Sequence, residues 1–200
     1  MATARAAQFQ HDATRARDLI GLGQAIGSMT YGRVDGSDLF RSALVQAVAA
    51  LDAYVHGITL DRAVDILLGR IPGGAPRGSK VGLNFNAVQV LLATATPADT
   101  ELAARTYIAQ RLSMETFQRP DDIANALAMV GVGKIWSTAF PKPAETKTAL
   151  GLIVDRRNRI VHSCDVDPLN PGSITLMAAS DATLAVATIE NVVLTIDPLC

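Results

Sequence analysis

The stretch E-T-K-T-A-L-G-L-I-V-D-R-R-N-R-I-V-H, residues 145–162, carries apolar side chains at Leu150, Ile153, Val154, Ile160 and Val161. Their spacing is the i, i+3, i+4, i+7 recurrence of a helix that buries one stripe. Pro143 suits the first turn of that helix, and Pro168, Asn170, Pro171 and Gly172 close the region behind it. A chain built on such segments is expected to be all-α, a compact helical bundle.

One residue breaks the stripe. At about 100° per residue, Arg157 falls between Leu150, Val154 and Val161 on one side and Ile153 and Ile160 on the other. It occupies a position where a leucine would pack. A guanidinium stays protonated at ordinary pH, so on a core-facing stripe it needs a carboxylate, another acceptor or a phosphate. Arg156 and Arg159 are expected to turn to solvent, where the negative end of the helix dipole also favours them. Asn158 and His162, four apart, share one flank.

Arg157, Asn158 and, after three further residues, His162 resemble the signature of the HEPN-domain ribonucleases: an arginine, a polar residue, a short spacer and a histidine near a helix end. Arg5 to His11 meets the loose pattern too, but Ala6 follows its arginine and no apolar helical frame surrounds it. Three segments in order, 39–58 (L-F-R-S-A-L-V-Q-A-V-A-A-L-D-A-Y-V-H-G-I), 111–127 (R-L-S-M-E-T-F-Q-R-P-D-D-I-A-N-A-L) and 153–168 (I-V-D-R-R-N-R-I-V-H-S-C-D-V-D-P), are similar to the RiboL-PSP-HEPN branch. The resemblance implies one HEPN-like helical domain over residues 1–200. It also implies metal-independent endonucleolytic cleavage of RNA to a 2′,3′-cyclic phosphate and a 5′-hydroxyl, in a toxin or phage-defence effector. It implies a homodimer whose two motifs share a cleft, no cofactor, and room for an antitoxin or other regulatory partner. Arg157, His162 and Asn158 are then the catalytic residues. The alternative is a non-catalytic HEPN module that binds RNA, a nucleotide or a protein. Some toxins of the wider superfamily have a tyrosine two residues after the histidine, which a partner modifies; Cys164 stands there in this chain.

Composition agrees with packed helices. Of 200 residues, 49% are hydrophobic but only 4% aromatic, so Ala, Leu, Val and Ile must build the core. Lys and Arg number 18 against 19 Asp and Glu, and this near-neutral balance makes any nucleic-acid contact local. Two cysteines, Cys164 and Cys200, form no disulfide framework. Three scattered histidines, with no H-E-x-x-H and no C-x-x-C, point away from a zinc site. No apolar run is expected to reach the length of a membrane span, and M-A-T-A-R-A-A-Q-F-Q-H-D lacks the apolar centre of a signal peptide. The expected location is the cytoplasm.

Taken in order, the chain opens with a helix over about 3–30 bearing Phe9, Leu19, Leu22 and Ile26. Its G-L-G-Q-A-I-G (21–27) has the wrong spacing for a dinucleotide fingerprint, and no strand precedes it. The most apolar helix, about 38–57, carries Phe40, Leu44, Val48, Leu51, Val55 and Ile58 along its stripe and Asp52 and His56 at its edge. Those two are either a surface ion pair or supports for the site, with Asp52 holding Arg157 across a helix contact. Thr59 and Asp61 are expected to start a separate helix to about 68.

The loop 69–82, G-R-I-P-G-G-A-P-R-G-S-K-V-G, imitates a phosphate-binding loop with its Lys and Ser exchanged, and no buried strand leads into it. Arg77 and Lys80 are better suited to touching RNA, alongside Arg156 and Arg159. Helices are expected over 84–95, 97–112 and 120–130, with a turn over 135–140 anchored by Trp136. A loop over 163–172 precedes a last helix around Leu184 to Ile196, whose β-branched residues leave a strand open.

Overall fold

The structure is a computed structural model that describes residues 2–73 and 82–200. Helix α1 (Ala4–Met29) starts at Thr3, whose hydroxyl accepts from Ala6 N at 3.1 Å. Its buried residues Ala6, Phe9, Ala13, Ala16, Ile20 and Gly23 step by three and four along one seam. Small side chains on that seam let α1 lie close to α2 (Ser37–Leu67). At its far end the backbones nearly touch: a Cβ on Gly23 would come 2.7 Å from the Phe40 ring, and one on Gly36 would come 2.5 Å from the Gly23 carbonyl.

Helix α2 is the centre of the bundle and packs against α1 and against elements from the rest of the chain. Leu44, Val48, Leu51 and Val55 are fully or almost fully buried on it. Each such side chain contributes about 1.5–3 kcal/mol relative to exposure. The expected break near Gly57 does not occur; α2 runs unbroken for 31 residues. Glycine within a helix costs about 1 kcal/mol relative to alanine, but here it makes room for a neighbour. A Cβ on Gly57 would lie 2.7 Å from Arg5 Cδ, and Arg5 passes over this point to pair with Asp61 at 2.8 Å.

After the described chain resumes, α3 (Phe85–Leu92) is capped by Asn84 and α4 (Pro97–Leu112) by Thr96, whose hydroxyl accepts from Asp99 N. Helices α5 (Pro120–Met129) and α6 (Ile135–Ala139) follow, joined by the Trp136 indole, which donates to the Pro120 carbonyl at 2.8 Å. Helix α7 (Pro143–Ser163) carries the arginine motif. The expected loop behind it contains an antiparallel hairpin, β1 (Val166–Asp167) with β2 (Asn170–Ile174), pairing Val166 with Ile174.

The last element, α8 (Ala179–Ile196), is helical despite its β-branched residues. Ala182, Ala185, Val186, Ile189, Val192, Val193 and Ile196 are buried at helical, not alternating, intervals. A short 3-10 turn (Asp197–Leu199) follows, and buried Asp197 accepts from Thr3 N at 2.9 Å and from the Tyr54 hydroxyl at 3.0 Å. The two ends of the described chain are thereby fastened to α2.

The architecture is therefore mostly helical, with eight α-helices and one two-stranded sheet among the described residues. Two stretches, Ser37–Leu67 and Ala179–Leu199, have the length and mean hydropathy (1.4 and 1.3) at which a helix can cross a membrane. This corrects the expectation that no apolar run reaches the length of a membrane span, since α2 is continuous where two helices are expected. Packing accounts for much of the apolarity of α2: 61% of its most apolar window is buried inside the bundle.

Candidate functional site

The apolar stripe of α7 leaves the core partway along the helix. Leu150 and Val154 are buried at 0% and 1% exposure, whereas Val161, two turns on, is 46% exposed. Arg157 lies at this crossing point and is half-buried. Its Nε is shielded from solvent and has no hydrogen-bond partner, and its Nη1 donates to Asn158 Oδ1 at 3.1 Å. No carboxylate pairs with it among the described residues. His162 is exposed in the last turn, and no hydrogen bond among the described residues ties it to Arg157 or Asn158.

Arg156 behaves in the opposite way, which corrects the expectation that it faces solvent as an RNA contact. It donates to Asp165 Oδ2 through Nε at 3.1 Å and through Nη2 at 2.6 Å, and Nη2 also reaches the carbonyls of Thr175 and Leu176. Asp165 is 0% exposed. A second guanidinium, that of Arg41 on α2, meets the same Oδ2 from its Nε at 3.1 Å, while its other nitrogens bond Ser37, Asp38 and the Thr175 carbonyl. Two cations thus share one buried carboxylate, whose Oδ1 is left without a partner.

This cluster sets how the chain leaves α7. Cys164 and Asp165 take φ of 49° and 55° in succession, a left-handed conformation that costs a non-glycine residue roughly 1–2 kcal/mol. The Asp165 N–H returns to the Arg159 carbonyl at 3.1 Å, and its own carbonyl accepts from Thr175 N at 2.9 Å, opening the hairpin. Arg41 and Asp165 are not among the residues expected from the sequence. A signal for Arg41 was present, since it lies three and seven residues before Leu44 and Val48 and so shares their stripe as Arg157 shares its own. Asp165 gave none, because one of its two arginine partners is 124 residues away and the other, Arg156, reaches it only through the left-handed turn after α7.

The remaining candidates divide. Asp52 does not hold Arg157: its Oδ1 accepts the Phe117 N–H at 2.6 Å, so it fastens the α4–α5 connection to α2. It does stand beside His56, with Oδ1 3.6 Å from Nδ1. The His56 ring lies against the carbonyl oxygens of Asp52 at 2.8 Å and Leu112 at 3.1 Å, and its centroid is 4.5 Å from that of Phe117. Both residues therefore belong to a helix junction on α2. Arg159 is exposed with no ion pair among the described residues. Arg77 and Lys80 lie outside the described residues.

A cavity of about 460 Å³ opens between α2, the end of α7 and the hairpin, lined by Arg41, Ser42, Gln46, Ile160, Cys164 and Ile174. Neither Arg157 nor His162 lines it. Among the described residues, no cluster of three or more His, Cys, Asp or Glu side chains is arranged to hold a metal ion. Comparison with protein-family models, with curated proteins and with solved structures gives no match. What this end of the molecule can do chemically rests on its own groups: an unneutralised guanidinium, an adjoining amide and an exposed imidazole.

Proposed function

We propose that the protein is an endoribonuclease of the HEPN type, working without a metal and of the toxin or phage-defence kind, acting on RNA in the cytoplasm. The observation that carries the reading is the contrast between adjacent arginines. Arg156 has a buried carboxylate, whereas Arg157 keeps its charge and a shielded, unpaired Nε. A half-buried cation that no carboxylate neutralises among the described residues suits the negative charge that builds on phosphoryl oxygens.

In the proposed reaction the ribose 2′-oxygen forms a bond to the adjacent phosphorus, and the bond from phosphorus to the 5′-oxygen breaks. The 2′-hydroxyl gives up its proton and the departing 5′-oxygen takes one. His162 is the group for such transfers, since imidazole titrates in the neutral range in general. Asn158, bonded to Arg157, steadies the guanidinium and can donate its amide N–H to a phosphate oxygen. Arg159 supplies a further contact to the RNA backbone.

Arg157 and His162 are about 140° apart around the helix, so one protomer turns them toward different directions. A homodimer in which two α7 ends face each other would bring Arg157 of one copy and His162 of the other to one phosphate. It would also supply two imidazoles for two proton transfers.

The second reading, a non-catalytic HEPN module that binds RNA, a nucleotide or a regulatory partner, is favoured by one observation. His162 is exposed and makes no side-chain hydrogen bond among the described residues. The test is incubation of purified protein with mixed RNA in EDTA, beside Arg157→Ala and His162→Ala, with end-group analysis of the products. The proposal expects 2′,3′-cyclic phosphate ends from the wild type and loss of cleavage in both variants. Intact RNA throughout, with binding retained, would select the second reading.

A further inference from the structure

A cavity of about 190 Å³ lies toward the C-terminal end of α2, walled by Ile66 on α2, Ile108 on α4, Val130 after α5 and Leu83 before α3. Among the described residues, no charged side chain lines it. The one hydroxyl among the described lining residues belongs to Thr59, which is 1% exposed, and that hydroxyl has neither a donor nor an acceptor.

That orphan is unusual for this chain. Thr14, Thr106, Thr183 and Thr188, also within helices, each donate to the carbonyl four residues back at 2.8 to 2.9 Å. This is the ordinary refuge of a helical hydroxyl. Thr59 makes no such bond, although it is the most deeply buried of them. Leaving a hydroxyl buried and unbonded is destabilising, and a valine of the same shape would fill the position without that penalty. A helical threonine has two accessible χ1 wells, so its hydroxyl can be offered to the cavity by a single rotation.

We propose that this cavity is a binding site for a small uncharged molecule, apolar except for one hydroxyl, of which phenol is the simplest representative. The size follows from volume: a dry apolar cavity of about 150 Å³ accepts benzene, so this one takes about six to ten heavy atoms. Neutrality follows from the described lining residues, which offer no counter-charge. The single hydroxyl follows from Thr59, which can both donate to and accept from one polar group. The inference is independent of the ribonuclease reading, because it uses no residue of α7.

The experiment is an NMR titration of the intact protein with phenol, toluene and benzoate, repeated on Thr59→Val and Ala63→Leu. Phenol and toluene are expected to shift the methyl resonances of Ile66 and Ile108, and benzoate to leave them unmoved. Thr59→Val, which keeps the shape of the side chain, should weaken phenol about fivefold and leave toluene unchanged. Ala63→Leu, which fills the cavity from its α2 wall, should abolish both. Unmoved resonances with phenol and toluene, or the same phenol affinity in Thr59→Val, would overturn the proposal.

Discussion

Arg156 Nη2 lies 2.6 Å from Asp165 Oδ2, across a backbone that turns left-handed at two successive residues. The pair is a structural latch: with Arg41 it ties α7, α2 and the hairpin together at one carboxylate. Because two guanidiniums depend on Asp165, removing it should cost more than removing a surface pair, which contributes about 0–1 kcal/mol. Asp165→Ala is expected to lower unfolding free energy by about 3–5 kcal/mol, the range for breaking a buried pair. Urea denaturation checks it, and a loss under 1 kcal/mol would mean that the latch is not tight.

The close approach of Gly23 and Gly36 has its own consequence. A methyl group at either position meets backbone or the Phe40 ring at 2.5 to 2.7 Å, so the end of α1 must move away from α2. Gly23→Ala is expected to destabilise by about 1–3 kcal/mol, as overpacking does, although alanine favours helix. Gly21→Ala, where nothing stands within 4 Å, should stabilise slightly. Thermal melts of the two variants side by side give the comparison.

Asp52 separates support of the fold from support of the chemistry. Its bond to the Phe117 N–H at 2.6 Å places it in the α2 to α4–α5 junction. Asp52→Ala leaves that N–H without its acceptor and should destabilise by about 1–3 kcal/mol. Cleavage of RNA by the folded variant should stay within a few-fold of wild type. A selective loss of cleavage at unchanged stability would return Asp52 to the site.

Acid should weaken the contact between α1, α2 and α4. Burial alone would raise the Asp61 carboxyl, but hydrogen bonds from Arg5 and Arg105 outweigh it and hold the group below its ordinary value. The folded form thus favours the carboxylate. The stabilisation is complete above the ordinary carboxylate range and is lost as pH falls through the depressed folded value. Asp61→Asn should flatten the acid limb of a stability–pH curve; an unchanged limb would place the acid sensitivity elsewhere.

The parts of the fold that could be read from sequence are those with local causes. Thr96-Pro97, Pro120 and Pro143 each mark a helix start within a residue of where it occurs. The continuity of α2 could not be read, because the reason for Gly57 is Arg5, a side chain from another helix. The hairpin was hidden for a similar reason: its opening turn is held by Arg41, far away in the chain. At the candidate site, the stripe position of Arg157 was legible from periodicity. The exchange of roles with Arg156 was not, since only the folded chain brings Asp165 under one arginine and leaves the other unpaired.

A paired measurement on Arg156→Ala and Arg157→Ala tests that exchange of roles most directly: single-turnover cleavage of RNA in EDTA, with urea denaturation of the same samples. Arg157→Ala is expected to lose about 10²–10³ in rate, the scale for removing a group that stabilises developing charge, with stability changed by less than about 1 kcal/mol. Arg156→Ala is expected to lose about 3–5 kcal/mol of stability. Wild-type cleavage by a stable Arg157→Ala protein, or equal loss of stability in both variants, would contradict it.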